Sequence, residues 1–122
     1  MAKKQKATRK VEWQGWVSTY LTKEDKKRIK DAVIDAGERM DLIQELIEDG
    51  YTVKIQWDAY AGTLSVMLMG GADAGANAGW GMSARHNDLT TALDILLYQN
   101  QAFSNDESGW VKPSEVGSEF DW

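Results

Sequence analysis

The chain has no cysteine, one proline and one histidine in 122 residues. Without thiols there can be no disulfide, no thiolate nucleophile and no cysteine-ligated metal. The lone imidazole, His86, has no recognisable nucleophile partner, and no acidic pair has a spacing that sets it apart from an ordinary helix surface. This inventory calls for no catalysis, metal or cofactor, and none is expected. Long apolar runs are lacking too: no stretch approaches the roughly 18 residues that a membrane helix needs. The Lys-rich start carries no apolar segment of the signal-peptide kind, so a cytoplasmic protein is expected.

What is present suffices for one core. At 43% hydrophobic residues, a chain of this length supports a single domain that buries roughly two-thirds of its unfolded surface. The formal net charge of -5 conceals a split. Lys3, Lys4, Lys6, Arg9 and Lys10 make residues 1–10 a basic, unpatterned arm, whereas Asp106, Glu107, Glu115, Glu119 and Asp121 face Lys112 alone in residues 104–122. The expected layout is a basic arm (1–10), one folded domain (11–103) and a flexible acidic tail (104–122).

Within the domain, Val11–Leu21 is rich in aromatic and β-branched residues and reads as a strand, with Gly15 marking a bulge or close approach. Thr22 and Asp25 resemble a capping box opening a helix that carries Ile29, Ala32, Val33 and Ala36 on one side. Lys23, Lys26, Lys27, Arg28 and Lys30 crowd that helix and form either a solvated face or a phosphate-facing patch. Gly37 is expected to break the pattern before a second helix, Asp41–Asp49, capped by Gly50.

Tyr51–Trp57 and Thr63–Met69 both alternate with period two and predict an antiparallel hairpin around the turn Asp58–Gly62. The Gly/Ala-rich Gly70–Gly79 matches neither a P-loop nor a dinucleotide fingerprint and reads as a flexible loop. A strand from Gly79 to Arg85 follows, then a helix from Asp88 with Leu89, Ala92, Leu93, Leu96 and Leu97 at helical spacing. The expected fold is α+β, order β-α-α-β-β-β-α. An antiparallel sheet, made of the N-terminal strand and a three-stranded β-β-β unit, carries helices on one face. The last helix should cover the Tyr51/Val53/Ile55 and Leu64/Val66/Leu68 side. Double-stranded-RNA-binding modules and small antitoxin domains share parts of this order, a likeness of fold alone.

Six tryptophans and four tyrosines exceed what such a core requires. Tyr51, Trp57 and Tyr98 fit the core by period. Trp13, Trp16, Tyr60 and Trp80 are candidates for an open sheet face shared with Lys54, Gln56 and Arg85, while Lys3, Lys4, Arg9 and Lys10 reach phosphates from the arm. Aromatic platforms interleaved with cations and amides suit single-stranded nucleic acid, since every base has a stackable face. The same rings could instead seal a small core or a dimer interface.

The C-terminal Glu119, Phe120, Asp121 and Trp122 resemble the acidic, aromatic-tipped tails of bacterial and phage single-stranded DNA-binding proteins. A second resemblance spans most of the domain. Trp16-Val17-Ser18, Leu21-Thr22-x-Glu24-x-Lys26, Asp49-Gly50-Tyr51, Ser83-Ala84-Arg85, Ala92-Leu93 and Leu97-Tyr98 are similar to a group of small phage-encoded proteins regarded as single-stranded DNA-binding, with His86 where that group has glycine. The resemblance implies a non-enzymatic, non-sequence-specific binder of single-stranded DNA, acting in phage replication or recombination within the host cytoplasm. It implies partner proteins docking on the tail, and a homodimer is expected. DNA versus RNA stays open, and a protein-interaction module of antitoxin-like or host-factor-binding type is the alternative.

Overall fold

The alternating stretches do pair. Tyr51–Asp58 (β2) and Thr63–Gly70 (β3) form an antiparallel hairpin in unbroken register, from Tyr51 opposite Gly70 to Asp58 opposite Thr63. In the computed structural model, which describes residues 11–31 and 35–103, β3 also pairs antiparallel with Trp80–His86 (β4). On its far side β4 takes up a two-residue strand, Gly15–Trp16 (β1), giving the sheet order β1-β4-β3-β2. The helices are Lys23–Asp31 (α1), Ala36–Glu48 (α2) and Leu89–Ala102 (α3). The fold is α+β with helices against one side of the sheet.

Three expectations about the elements themselves need correction. First, the sheet is mixed rather than antiparallel, because β1 runs parallel to β4. Only two residues of the predicted Val11–Leu21 strand are in the ladder, flanked by bonds from the Gln14 and Val17 amides to the Gly79 and Gly81 carbonyls (2.7 and 2.6 Å). Second, α2 begins at Ala36 and includes Gly37, which lies in the first turn, where a glycine interrupts little of the hydrogen-bond ladder. Ala36 therefore belongs to α2, not to the stripe of α1; Ala32 and Val33 lie outside the described residues. Third, Gly70–Gly79 is built rather than loose. It contains a 3-10 turn, Ala72–Asn77, that buries Asn77, whose amide nitrogen donates to the Tyr51 hydroxyl at 2.6 Å. A Cβ on Gly70 would lie 2.0 Å from the Asn77 carbonyl oxygen, so this crossing needs glycine there.

Local signals set the helix starts. The Asp25 amide donates to Thr22 Oγ1 (3.1 Å) and the Thr22 amide donates to Asp25 Oδ2 (2.9 Å), the reciprocal arrangement that the Thr-x-x-Asp spacing predicts. Asp88 caps α3 by accepting from the Thr91 amide at 2.9 Å, and His86 Nδ1 accepts from the Asp88 amide at 3.0 Å. The Thr91 amide first, and the Thr91 hydroxyl next, hold the Asp88 carboxyl below its ordinary pKa.

The core is divided between two helices. α3 packs across β4 and β3, burying Leu93, Leu96 and Leu97 against Val66, Leu68 and Met82, while α2 packs against β2 with Leu42 and Ile43. The last helix thus leaves β2 to α2, contrary to expectation. α2 covers Tyr51 and Val53 but not the far end of the strand: Ile55 is 51% and Trp57 59% exposed. Trp57, expected in the core by period, points toward the helix side beyond the reach of any described helix.

Polar contacts tie the helices together. Arg39 Nε and Nη2 donate to Asp94 Oδ1 and Oδ2 at 2.6 and 3.1 Å, joining α2 to α3. That bidentate carboxylate is the main reason the Arg39 pKa is raised. The Tyr98 hydroxyl donates to Asp25 Oδ1 at 2.5 Å, joining α3 to the start of α1.

Candidate nucleic-acid interface

The side of the sheet away from α2 and α3 carries the side chains of β2, β3 and β4 in cross-strand rows. Asp58 and Thr63 form the row at the hairpin turn. Gln56, Ser65 and Arg85 form the next, then Lys54, Met67 and Ser83, and finally Thr52, Met69 and Gly81, with Trp16 of β1 beside Gly81. From the Thr52 row to the Asp58 row the face is about 20 Å long, at about 3.4 Å per residue.

Trp13 and Trp16 stand over one end of this face. A Cβ on Gly81 would lie 3.0 Å from Trp13 Cη2 and 3.1 Å from Trp16 Cζ3, so the absent side chain makes the space the two rings use. The rings meet edge-to-face with centroids 4.9 Å apart, and each residue stays 49% exposed. Such an arrangement is held from below and open from above.

Next to Trp16 the face dips into a depression of about 360 Å³, lined by Gln56, Asp58, Ser65, Met67, Ser83 and Arg85. Ser65 is buried between its cross-strand neighbours, and Met67 is a half-buried, adaptable apolar patch of the floor. Arg85 is exposed, and its guanidinium stands 3.7 Å from Asp58 Oδ2. At that distance and exposure the pair is a loose one, and the guanidinium is available to an incoming anion. Lys54, exposed in the next row, adds a second cation.

Arg85 also lines a second depression, about 600 Å³, between α1 and the junction of β4 with α3. Its floor includes Leu21, Ile29 and Ile95, and Lys26, Lys30 and His86 stand at its walls. The one acid there, Asp94, is already held by Arg39. Lys26 and Lys30 of α1 therefore share a depression with Arg85 of the open face.

The predicted site residues divide clearly. Trp13, Trp16, Lys54, Gln56 and Arg85 share the open face. Tyr60, fully exposed, sits at the hairpin turn at the end far from the tryptophan pair, where Asp58 Oδ1 accepts from the Tyr60 and Ala61 amides. Trp80 does not belong to this face. It lies on the helix side with Met82 and Ala84, packed against the core, and its ring covers Gly15 at 3.3 Å from the position a Cβ would take. The arm residues Lys3, Lys4, Arg9 and Lys10 and the tail residues Glu119, Phe120, Asp121 and Trp122 lie outside the described residues.

Gly81, Met67, Ser65, Ser83 and Asp58 were missed as members of the site. The alternation of β4, with Gly81, Ser83 and Arg85 on one side, was the signal that could have found two of them. Among the described residues no group of three or more His, Asp or Glu is placed to hold a metal, and no helix is long and apolar enough to cross a membrane. Compared with known protein families, curated proteins and solved structures, the chain matches none of them.

Proposed function

We propose that this protein binds single-stranded DNA without sequence preference, as a non-enzymatic factor in phage DNA replication or recombination. The observation that carries the reading is the Trp13–Trp16 pair held over Gly81 at the mouth of a depression edged by Gln56 and Arg85. A base stacked on an exposed tryptophan gains roughly 1–3 kcal/mol, and it gains it whatever the base, which suits a binder blind to sequence. Lys54 and Arg85 then meet phosphates of the same strand, and the α1 lysines extend the cationic track past Arg85. In this reading the basic arm adds non-specific attraction, and the acidic, aromatic-tipped tail recruits replication or recombination proteins in the host cytoplasm.

The test is an anisotropy titration of labelled oligo-dT, matched single-stranded RNA and a DNA duplex at several salt concentrations. The expected result is preference for the single strand over the duplex, with affinity falling as salt rises. Equal affinity for the duplex, or no binding at low salt, would overturn the proposal.

A further inference from the structure

Among the described residues nothing pairs with the outer edge of β2. That edge is eight residues long, in unbroken register with β3, and free of proline and bulges. Folded proteins blunt such edges or use them, because the row of unpaired amides and carbonyls is a template for another strand. On the helix side the same strand leaves Ile55 and Trp57 more than half exposed, past the end of the cover that α2 provides.

The strand is also complementary to itself. If a second copy of β2 runs antiparallel to the first with Gln56 at the centre, Ile55 falls opposite Trp57 and Lys54 opposite Asp58, each pairing occurring twice. Neighbouring registers lose this match. Centring on Ile55 sets Lys54 against Gln56, and centring on Lys54 sets Lys54 against Lys54. A two-fold axis normal to the sheet keeps the faces in common, so apolar residues meet on the helix side and opposite charges meet on the open side.

We propose that a second copy of this chain pairs along β2, centred on Gln56, to give one continuous eight-stranded sheet. The two open faces then lie on the same side, with their tryptophan pairs at opposite ends. Lys54 of one chain meets Asp58 of the other, and Asp58 is the residue that stands 3.7 Å from Arg85. Pairing thus gives Asp58 a second cation and loosens its hold on the guanidinium. The inference stands on the shape and sequence of the edge and does not depend on what the open face binds.

The absence of cysteine makes the test direct. Gln56→Cys puts one thiol per chain on the axis, whereas the two copies of Thr52→Cys would lie about 27 Å apart, far beyond disulfide reach. Mild oxidation of the full chain, without nucleic acid, should give a disulfide-linked dimer with Gln56→Cys and none with Thr52→Cys. In sedimentation the wild type should be dimeric at high micromolar concentration. Lys54→Glu should be monomeric with an unchanged circular dichroism spectrum, and Lys54→Glu combined with Asp58→Lys should dimerise again. A monomeric wild type, or Thr52→Cys linking as fast as Gln56→Cys, would overturn the proposal.

Discussion

At the seam between β1 and β4 tryptophan meets glycine twice, with opposite consequences. In the parallel register Gly15 faces Trp80 and Trp16 faces Gly81. On the helix side Trp80 lies over Gly15 and joins the core; on the open side Trp13 and Trp16 lie over Gly81 and stay half exposed. Residue chemistry is the same on both sides. The difference is α3, which covers β4 from one side only. A ring packed against the core contributes to stability, and a ring resting on bare sheet is free to contribute to binding.

This contrast can be broken from either side. The largest expected effect is on the covered side: Trp80→Ala should cost roughly 3 kcal/mol of stability, the scale for removing a packed aromatic ring, read as a lower denaturant midpoint. Affinity per folded molecule should change little. Asp94→Ala comes next. It strips Arg39 of its bidentate partner in a mostly buried setting and should cost about 2–3 kcal/mol, below the scale for a fully buried pair.

Tyr98→Phe should cost about 1 kcal/mol, less than a fully buried hydrogen bond to a carboxylate because Asp25 is only partly buried, and it also predicts a pH effect. The Tyr98 hydroxyl first, and the Thr22 amide next, hold Asp25 below its ordinary value of 3.8. A carboxyl depressed in the folded state adds stability that is present above that value and is lost as pH falls through the lower folded pKa. Acid melts of Tyr98→Phe should therefore lose less stability below pH 3.8 than the wild type does. The smallest stability effect belongs to the open side. Arg85→Gln should change stability by less than about 0.5 kcal/mol, because its ion pair is long and exposed, while the salt slope of DNA binding should fall by about one phosphate contact.

How much of this was legible depends on the residues concerned. The antiparallel hairpin follows from alternation together with the turn at Asp58–Gly62, and the Thr22–Asp25 and Asp88 caps follow from spacing, since each is a local interaction written in a few adjacent residues. The parallel attachment of β1 was not legible. It rests on a two-residue ladder and flanking backbone bonds, which have no side-chain period, and the i, i+3 spacing of Trp13 and Trp16 conflicts with the alternation of a strand. Trp57 shows a different limit. Period two says which way a side chain points, not whether a helix arrives to cover it. For Trp80 the period was informative: alternation grouped it with Met82 and Ala84, and its aromatic character drew it wrongly to the open face.

The most direct test compares exposed tryptophans on the two sides of the sheet. A labelled oligo-dT short enough to span one face would be titrated into wild type, Trp13→Ala/Trp16→Ala and Trp57→Ala, with thermal melts confirming that each is folded. If the open face is the binding surface, the double variant loses roughly tenfold to a hundredfold in affinity, the scale of a lost stacking platform, and Trp57→Ala binds like wild type. Full affinity in the double variant, or its loss in Trp57→Ala alone, would contradict that assignment.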